Sequence, residues 1–114
     1  MIQQSKTSTT LLAFLTKVLD QHKAQAILAL DVRALSSWVD MHVICTATSN
    51  RHAKALAEEV NKSAKNKGLP PLAIEGLNTG EWILIAFHDI VLHIMQPAQR
   101  DLYQLEKLWG DPAA

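Results

Sequence analysis

The chain has 114 residues, of which 48% are hydrophobic and 19% charged, a size and composition that fit one globular domain and exclude a multidomain protein. Eleven lysines and arginines balance eleven acidic residues, so no charge of the whole protein would draw it to an anionic membrane or to nucleic acid. Any contact with a ribosome or with nucleic acid must therefore be local, and we predict none that is sequence-specific. The single cysteine, Cys45, excludes an internal disulfide and favours a reducing compartment, so we expect a cytoplasmic protein.

The N-terminal residues are polar and lack the pattern of a secretory signal. We predict a polar segment over residues 1–10 and a single domain over residues 11–111. Apolar residues at helical spacing predict a first helix from Leu11 to His22, with Thr9 or Thr10 as its N-cap. No apolar run approaches the roughly 20 residues that a membrane-spanning helix needs, so we predict no membrane segment.

A compact apolar run over 26–32 and a second run over 41–46, rich in β-branched residues, predict two buried strands joined by a polar loop. Small apolar residues then recur at helical spacing from Ser49 onward, and Gly68 is placed to end that second helix. The narrow stripe of small residues predicts a helix that packs closely on the sheet.

After two prolines, residues 72–74 predict a short strand and residues 75–80 a loop punctuated by glycine. The runs 82–87 and 90–95 predict a hairpin that turns at His88-Asp89.

From Pro97 the sequence predicts one last helix, ended by Gly110 and Pro112. The residues expected on its single apolar face are Leu102, Leu105, Leu108 and Trp109. The resulting order, α-β-β-α-β-β-β-α, predicts an α+β fold in which a mixed five-stranded sheet is flanked by helices.

The residues with catalytic potential are scattered and form no known catalytic motif. The five histidines match no metal-binding spacing, so we predict no metal and no cofactor. His42 and His93 lie in apolar strands and are expected to be hydrogen-bonded core residues, and Cys45 a small buried hydrophobe. Asp31 and Asp40 lack the close pairing that holds magnesium. We therefore predict that the chain is not an enzyme.

Aromatic residues suggest a binding surface instead. Trp82 and Phe87 bracket a strand at odd spacing, so they point to opposite faces and one of them must leave the core side. Tyr103 and Trp109 indicate that this binding surface includes the last helix, because protein interfaces favour Trp, Tyr and Arg. Core packing by Trp109 is the alternative, and Trp38 is expected to cover the core from its loop.

Several segments, in this order and spacing, resemble the ribosomal silencing factor family, also called Iojap. In the first half the matching residues are Ala29-Leu30-Asp31-Val32, Ser37-x-x-Asp40 and Ile44-Cys45-Thr46-Ala47-Thr48-Ser49-Asn50-Arg51-His52. In the second half they are Ile74-Glu75-Gly76, Glu81-Trp82-Ile83, Asp89-Ile90-Val91-Leu92-His93 and Arg100-x-x-Tyr103-x-Leu105-Glu106-Lys107-Leu108-Trp109. The resemblance covers roughly residues 11–111.

The resemblance implies a fold similar to that of nucleotidyltransferases, without their paired catalytic carboxylates. It also implies a protein that is not an enzyme and that binds the large ribosomal subunit through ribosomal protein fourteen. A factor bound there would block joining with the small subunit and so repress translation when nutrients are scarce.

By family position, Trp82 and Phe87 are implied to meet the ribosomal protein. Glu75, His93, Arg100 and Tyr103 are implied as neighbouring contacts or supports.

Three residues near the implied interface depart from the family pattern. Ala47 and His88 stand where the family commonly has glycine, and Ala86 stands where it has aspartate. The bulky His88 is expected to shift the hairpin tip, so contacts there do not transfer directly.

Two other interpretations of the sequence stay open. A small metal-dependent nucleotidyltransferase would use Asp31 or Asp40 and would need nucleotide and magnesium. A homodimeric adaptor would expose a sheet edge or hairpin to a second chain, and a homodimer is also compatible with silencing.

Overall fold

The computed structural model describes residues 2–35 and 37–109, with the side chains of residues 2–9, 106 and 109 outside that description. The predicted helix stop at Gly110 and Pro112 also lies outside it. The described elements are α1 Ile2–Gln21, β1 Gln25–Asp31, β2 Met41–Thr46, α2 Asn50–Asn66, β3 Ala73–Glu75, β4 Trp82–Ala86, β5 Ile90–Met95, α3 Pro97–Tyr103 and α4 Leu105–Trp109.

The strands form one five-stranded sheet in the order β1-β2-β5-β4-β3. β2 and β5 pair in parallel, while the other neighbours are antiparallel. The connection between the parallel strands includes α2, as expected for strands that no short hairpin can join. The predicted α+β fold with a mixed sheet flanked by helices is confirmed.

The main core lies between the helices α1 and α2 and one face of the sheet. Alternate residues of the central strands, among them Val43, Ile83 and Leu92, are fully buried there. On α2 the buried stripe consists of Ala53, Leu56, Ala57, Val60 and Ala64. Its three alanines let the helix approach the sheet closely, as the small-residue spacing predicts.

The first helix is longer than predicted. It begins at Ile2, so Thr9 and Thr10 lie within it and the prediction that one of them caps it is wrong. The later half of α1 is anchored in the core by Leu15 and Leu19, both fully buried. Once that half is formed, each added residue gains a hydrogen bond without a new nucleation cost, so the polar N-terminal half can extend it.

The prediction of one unbroken last helix is wrong. Gln104 adopts a left-handed conformation with φ of 48°, which ends α3 before α4 begins. The break changes the helical phase, so the expected common face does not form: Leu105 is buried, whereas Leu102 and Leu108 are 75% and 68% exposed.

A second, smaller core lies on the opposite face of the sheet. It consists of Leu30, Val32, Ile44, Met95 and Leu105, with Val39 and Trp82 packed against it. The expectation that Trp38 covers the core is wrong, because its side chain is 87% exposed. The neighbouring Val39 packs against this core instead.

Candidate functional site

The sheet face opposite α1 and α2 is left partly open over β4 and β5. Strand alternation places Leu84, Ala86 and Val91 on the same face as Trp82, and all four side chains are only half-buried. We call these four residues the open face. Glu75 of β3 is the register partner of Leu84, and its exposed side chain lies at the border of the open face. An apolar surface with an aromatic residue at one end suits protein binding.

The indole of Trp82 is held by a chain of hydrogen bonds below the open face. Its Nε1–H donates to Nδ1 of His93 over 3.1 Å, and Nε2 of His93 lies 3.0 Å from Nδ1 of His42. Because an indole nitrogen can only donate, neutral His93 must carry its proton on Nε2 and donate it to His42. The chain therefore has one direction, from Trp82 through His93 to His42.

Burial opposes a charge on this chain. Burial and the neighbouring His42 lower the pKa of His93 to about 4, and burial also lowers the pKa of His42. A proton on Nδ1 of His93 would face the donor N–H of Trp82 and break that hydrogen bond. At neutral pH the chain is thus uncharged and the indole is fixed in one orientation.

Tyr103 adds a second aromatic ring beside Trp82. The two ring centroids are 4.8 Å apart, with the planes tilted by 49°, a favourable arrangement for an aromatic pair. Tyr103 is the last residue of α3 and is 52% exposed. It therefore extends the aromatic part of the open face to the solvent.

Arg100 ties α3 to the sheet. Its Nη1 donates to the carbonyl oxygen of Ala26 over 2.6 Å and to Oγ1 of Thr46 over 2.8 Å. Ala26 has a φ of 49° at a register irregularity of β1, a strained backbone that this hydrogen bond holds. Arg100 is thus placed as a support for the helix that carries Tyr103.

Phe87 does not belong to this surface. It is 5% exposed and packs in the main core on the α1 and α2 side of the sheet. The odd spacing from Trp82 correctly predicts opposite faces, and with the Phe87 ring buried its direct contact with a partner stays a prediction. Its backbone N–H instead donates to the carbonyl oxygen of Ile90 in the turn of the hairpin.

The structure brings three of the six residues predicted for partner binding into contact. Trp82, His93 and Tyr103 form one cluster, Arg100 lies on the same helix as Tyr103, and Glu75 stands apart across the border of the open face. His93 is 2% exposed, so it acts as a support.

Two features of this side of the sheet escape the sequence reasoning. The first is the pairing of His42 with His93, for which the only signal in the sequence is a pair of histidines in apolar strands. The second is the open face itself, because Leu84 and Val91 look like core residues in the sequence.

Asp31, an acidic residue of the alternative enzymatic interpretation, forms an ion pair with Arg33. Asp31 accepts hydrogen bonds from Arg33, whose Nε lies 3.0 Å from Oδ1, and these bonds hold the pKa of the Asp31 carboxyl below its usual value. Within residues 2–35 and 37–109, no three His, Cys, Asp or Glu side chains are grouped to hold a metal ion. Cys45 is a buried free thiol whose burial raises its pKa to about 12, which confirms its prediction as a small buried residue.

Comparison with known proteins identifies the family to which this chain belongs. The family model described as "Ribosomal silencing factor during starvation" matches residues 5–114. "Ribosomal silencing factor RsfS" of Haemophilus influenzae is 41% identical over 100 residues, which are 88% of this chain and 98% of that protein. The chain therefore belongs to the ribosomal silencing factor family, and the resemblance found in the sequence is confirmed.

Two further relatives extend the comparison. A crystal structure of a Chromobacterium violaceum protein is 34% identical, with a TM-score of 0.87 over 93% of this chain and 89% of that one. The mouse "Mitochondrial assembly of ribosomal large subunit protein 1" is 34% identical over 98 residues, which are 83% of this chain and 43% of that protein. The family is thus represented in bacteria and in a mitochondrial protein.

In the part of the chain that the structure describes, no helix has both the length and the apolar character needed to cross a membrane.

Proposed function

We propose that this chain binds the large ribosomal subunit through ribosomal protein fourteen and thereby blocks joining with the small subunit. In this proposal it acts in the cytoplasm, without a cofactor and without catalytic chemistry, and it represses translation under nutrient limitation. The observation that carries the proposal is the open face together with the adjoining Tyr103, an apolar surface with two aromatic rings at one end.

A fixed indole favours binding. The hydrogen bond from Trp82 to His93 and the tilted contact with Tyr103 hold the ring before any partner arrives. A side chain that is already ordered loses less conformational entropy on association, and this increases affinity. Trp and Tyr are also the residues most often found at the energetic centre of interfaces.

The charge around the open face suits a basic partner. Acidic residues lie at its border and in the neighbouring loop and helix, namely Glu75, Glu81 and Asp101, and all are exposed. Proteins that contact RNA carry an excess of positive charge. An acidic border therefore complements a ribosomal protein and repels bare RNA.

The block itself needs no chemistry. The Cα atoms extend over 38 × 38 × 22 Å. Atoms of the two ribosomal subunits must approach within roughly 4 Å to be in contact, and even the smallest dimension of this protein is larger than that. A molecule seated on one subunit at a bridge to the other would hold the two surfaces apart.

The direct test is the affinity of Trp82→Ala for purified large subunits. Truncation of a central aromatic anchor costs about 2 kcal/mol or more, so we expect binding at least tenfold weaker. Trp38→Ala is the matched control, because it removes an 87% exposed tryptophan from outside the open face.

A second variant separates binding from folding. Tyr103→Ala removes a half-exposed ring and leaves the hydrogen bond between Trp82 and His93 in place, and it should also weaken binding. Wild-type affinity in folded Trp82→Ala and Tyr103→Ala would refute the proposed binding surface.

A homodimer is a second proposal, favoured by exposed apolar side chains outside the open face, among them Leu35, Trp38 and Leu108. Sedimentation velocity over a range of concentrations tests it, and Trp38→Ala should shift the equilibrium toward monomer. A purely monomeric wild-type protein at high concentration would exclude it.

A further inference from the structure

The balanced net charge conceals a strong asymmetry along the chain. Residues 1–72 hold nine of the eleven lysines and arginines but five of the acidic residues, for a net charge of +4. Residues 73–114 hold two basic and six acidic residues, for a net charge of −4. The absence of overall charge therefore does not exclude a local contact with a polyanion.

The fold gathers the positive charge on the helical layer, defined here as the outer surface of α1, α2 and the turns that follow them. Among the side chains that the structure describes, seven exposed cations lie there: Lys17, Lys23, Arg51, Lys54, Lys62, Lys65 and Lys67. The acidic residues of the same helices are Asp20, Glu58 and Glu59, and Glu59 lies 3.4 Å from the ring of His22.

On α2 the cations form one line. Arg51, Lys54, Lys62 and Lys65 fall on the side of the helix away from its buried alanines, interrupted by Glu58. At 1.5 Å per residue this line extends over about 20 Å.

A groove between α1 and α2 continues the positive surface. It has a volume of ≈ 490 Å³ and is lined on one side by Lys17 and on the other by Ser63 and Lys67. The Nζ of Lys67 lies 5.1 Å from the ring centroid of Phe14, which holds the ammonium group over the groove.

We propose that the helical layer binds the phosphate backbone of ribosomal RNA that borders the protein site on the large subunit. This inference rests on the proposed function, which places the molecule beside ribosomal RNA. Six of the seven cations are lysines, flexible point charges that suit phosphate groups, so the contact reads charge and not sequence. The opposite polarity of the two faces then orients the molecule, with the acidic border toward a basic protein and the helical layer toward RNA.

The test compares two charge reversals of equal size. Lys62→Glu changes the helical layer, and Lys107→Glu changes an exposed lysine of α4 on the other side of the sheet. The affinity of each protein for purified large subunits is measured over a series of salt concentrations. We expect Lys62→Glu to bind about three- to tenfold more weakly, and its plot of log affinity against log salt to be less steep by about one unit. Lys107→Glu adds negative charge on the side proposed to face a basic protein, so it should show no loss of affinity.

A gain of charge provides the reciprocal test. Glu58 interrupts the line of cations on α2, so Glu58→Lys should tighten binding and steepen the salt dependence. This outcome could not arise from damage to the fold.

Four other results would overturn the inference. Equal affinities and equal salt dependences for wild type, Lys62→Glu and Glu58→Lys would do so while leaving the proposed function intact. If wild type fails to bind large subunits even at low salt, both fail. If Lys62→Glu binds the large subunit normally but no longer blocks joining, the positive surface acts on the small subunit and this assignment is wrong. Charge-dependent binding to phosphatidylserine vesicles without any effect on the subunit would likewise overturn it in favour of a membrane.

Discussion

The buried histidine chain makes the stability of this fold depend on pH. In the unfolded chain His93 takes up a proton near its ordinary pKa of 6.5, whereas in the folded protein burial and His42 lower that pKa to about 4. Between these values the unfolded state binds more protons, so the free energy of unfolding falls as the pH is lowered. Well above pH 6.5 the His93 imidazole is neutral in both the folded and the unfolded state, so it does not lower the free energy of unfolding.

The size of the effect follows from the shift. Each unit of pKa corresponds to about 1.4 kcal/mol, so His93 alone removes roughly 3 kcal/mol of stability between pH 6.5 and pH 4. The lowered pKa of His42 acts in the same direction over the same range. Small domains are stable by about 5–15 kcal/mol, so a loss of this size is measurable by denaturant unfolding.

His93→Gln isolates the contribution. The glutamine oxygen can accept from Trp82 and its amide can donate to His42, but the side chain does not titrate. We expect urea unfolding, followed by tryptophan fluorescence, to show a loss of stability between pH 7.5 and pH 4.5 that is roughly 2–3 kcal/mol smaller than in wild type. His88→Gln, an exposed histidine of the hairpin turn, is the control and should lose as much as wild type. Equal losses in His93→Gln and wild type would refute the reasoning.

Three further predictions concern particular residues. Gly76→Ala should lower the free energy of unfolding by more than about 2 kcal/mol and displace Trp82, because a Cβ there would lie 2.1 Å from the Trp82 carbonyl oxygen at a φ of +90°. Gly68 also has a positive φ but open space around it, so Gly68→Ala should lower the free energy of unfolding by only about 1 kcal/mol. Equal losses in the two variants would contradict the predicted clash. Arg100→Ala should lower the free energy of unfolding by about 2 kcal/mol, because two hydrogen bonds to the sheet are lost, and an unchanged urea midpoint would count against this support. Cys45 should react with a thiol reagent only at the rate of unfolding, since its pKa is raised to about 12 and its side chain is fully buried; rapid labelling of the native protein would disprove this.

The strands and α2 could be predicted because their signals are local. The spacing of apolar residues matches a strand in the β-branched runs 41–46 and 90–95, and it matches a helix in the small-residue stripe of α2. Tertiary packing favours the same structure in each case. The parallel pairing of β2 with β5 is not local, because α2, β3 and β4 lie between these two strands in the chain. The fold class was therefore predictable from the sequence.

The errors arose where a local signal was ambiguous or overridden. Thr9 and Thr10 are good helix caps, yet the helix anchored by Leu15 runs past them to Ile2. Gln104 gives no sign of a left-handed residue, because glycine and asparagine usually hold that position.

The candidate site was predictable only in part. Alternation placed Trp82 and Phe87 on opposite faces, but it could not tell which face is covered by two long helices and which by two short ones. That depends on how α3 and α4 dock, where Arg100 donates hydrogen bonds to Ala26 and Thr46 and the helix breaks at Gln104. The hydrogen bond between His93 and His42 likewise requires the register of two strands that are far apart in the sequence.

The central claim is that the molecule keeps ribosomal subunits apart by sitting on the large one. The most direct measurement is a sucrose gradient of purified large and small subunits under joining conditions, with and without the protein. We predict that the protein sediments with the large subunit and that the peak of joined ribosomes decreases, while Trp82→Ala leaves that peak unchanged at the same concentration. A joined peak that persists with saturating wild-type protein, or protein that remains at the top of the gradient, would contradict the claim.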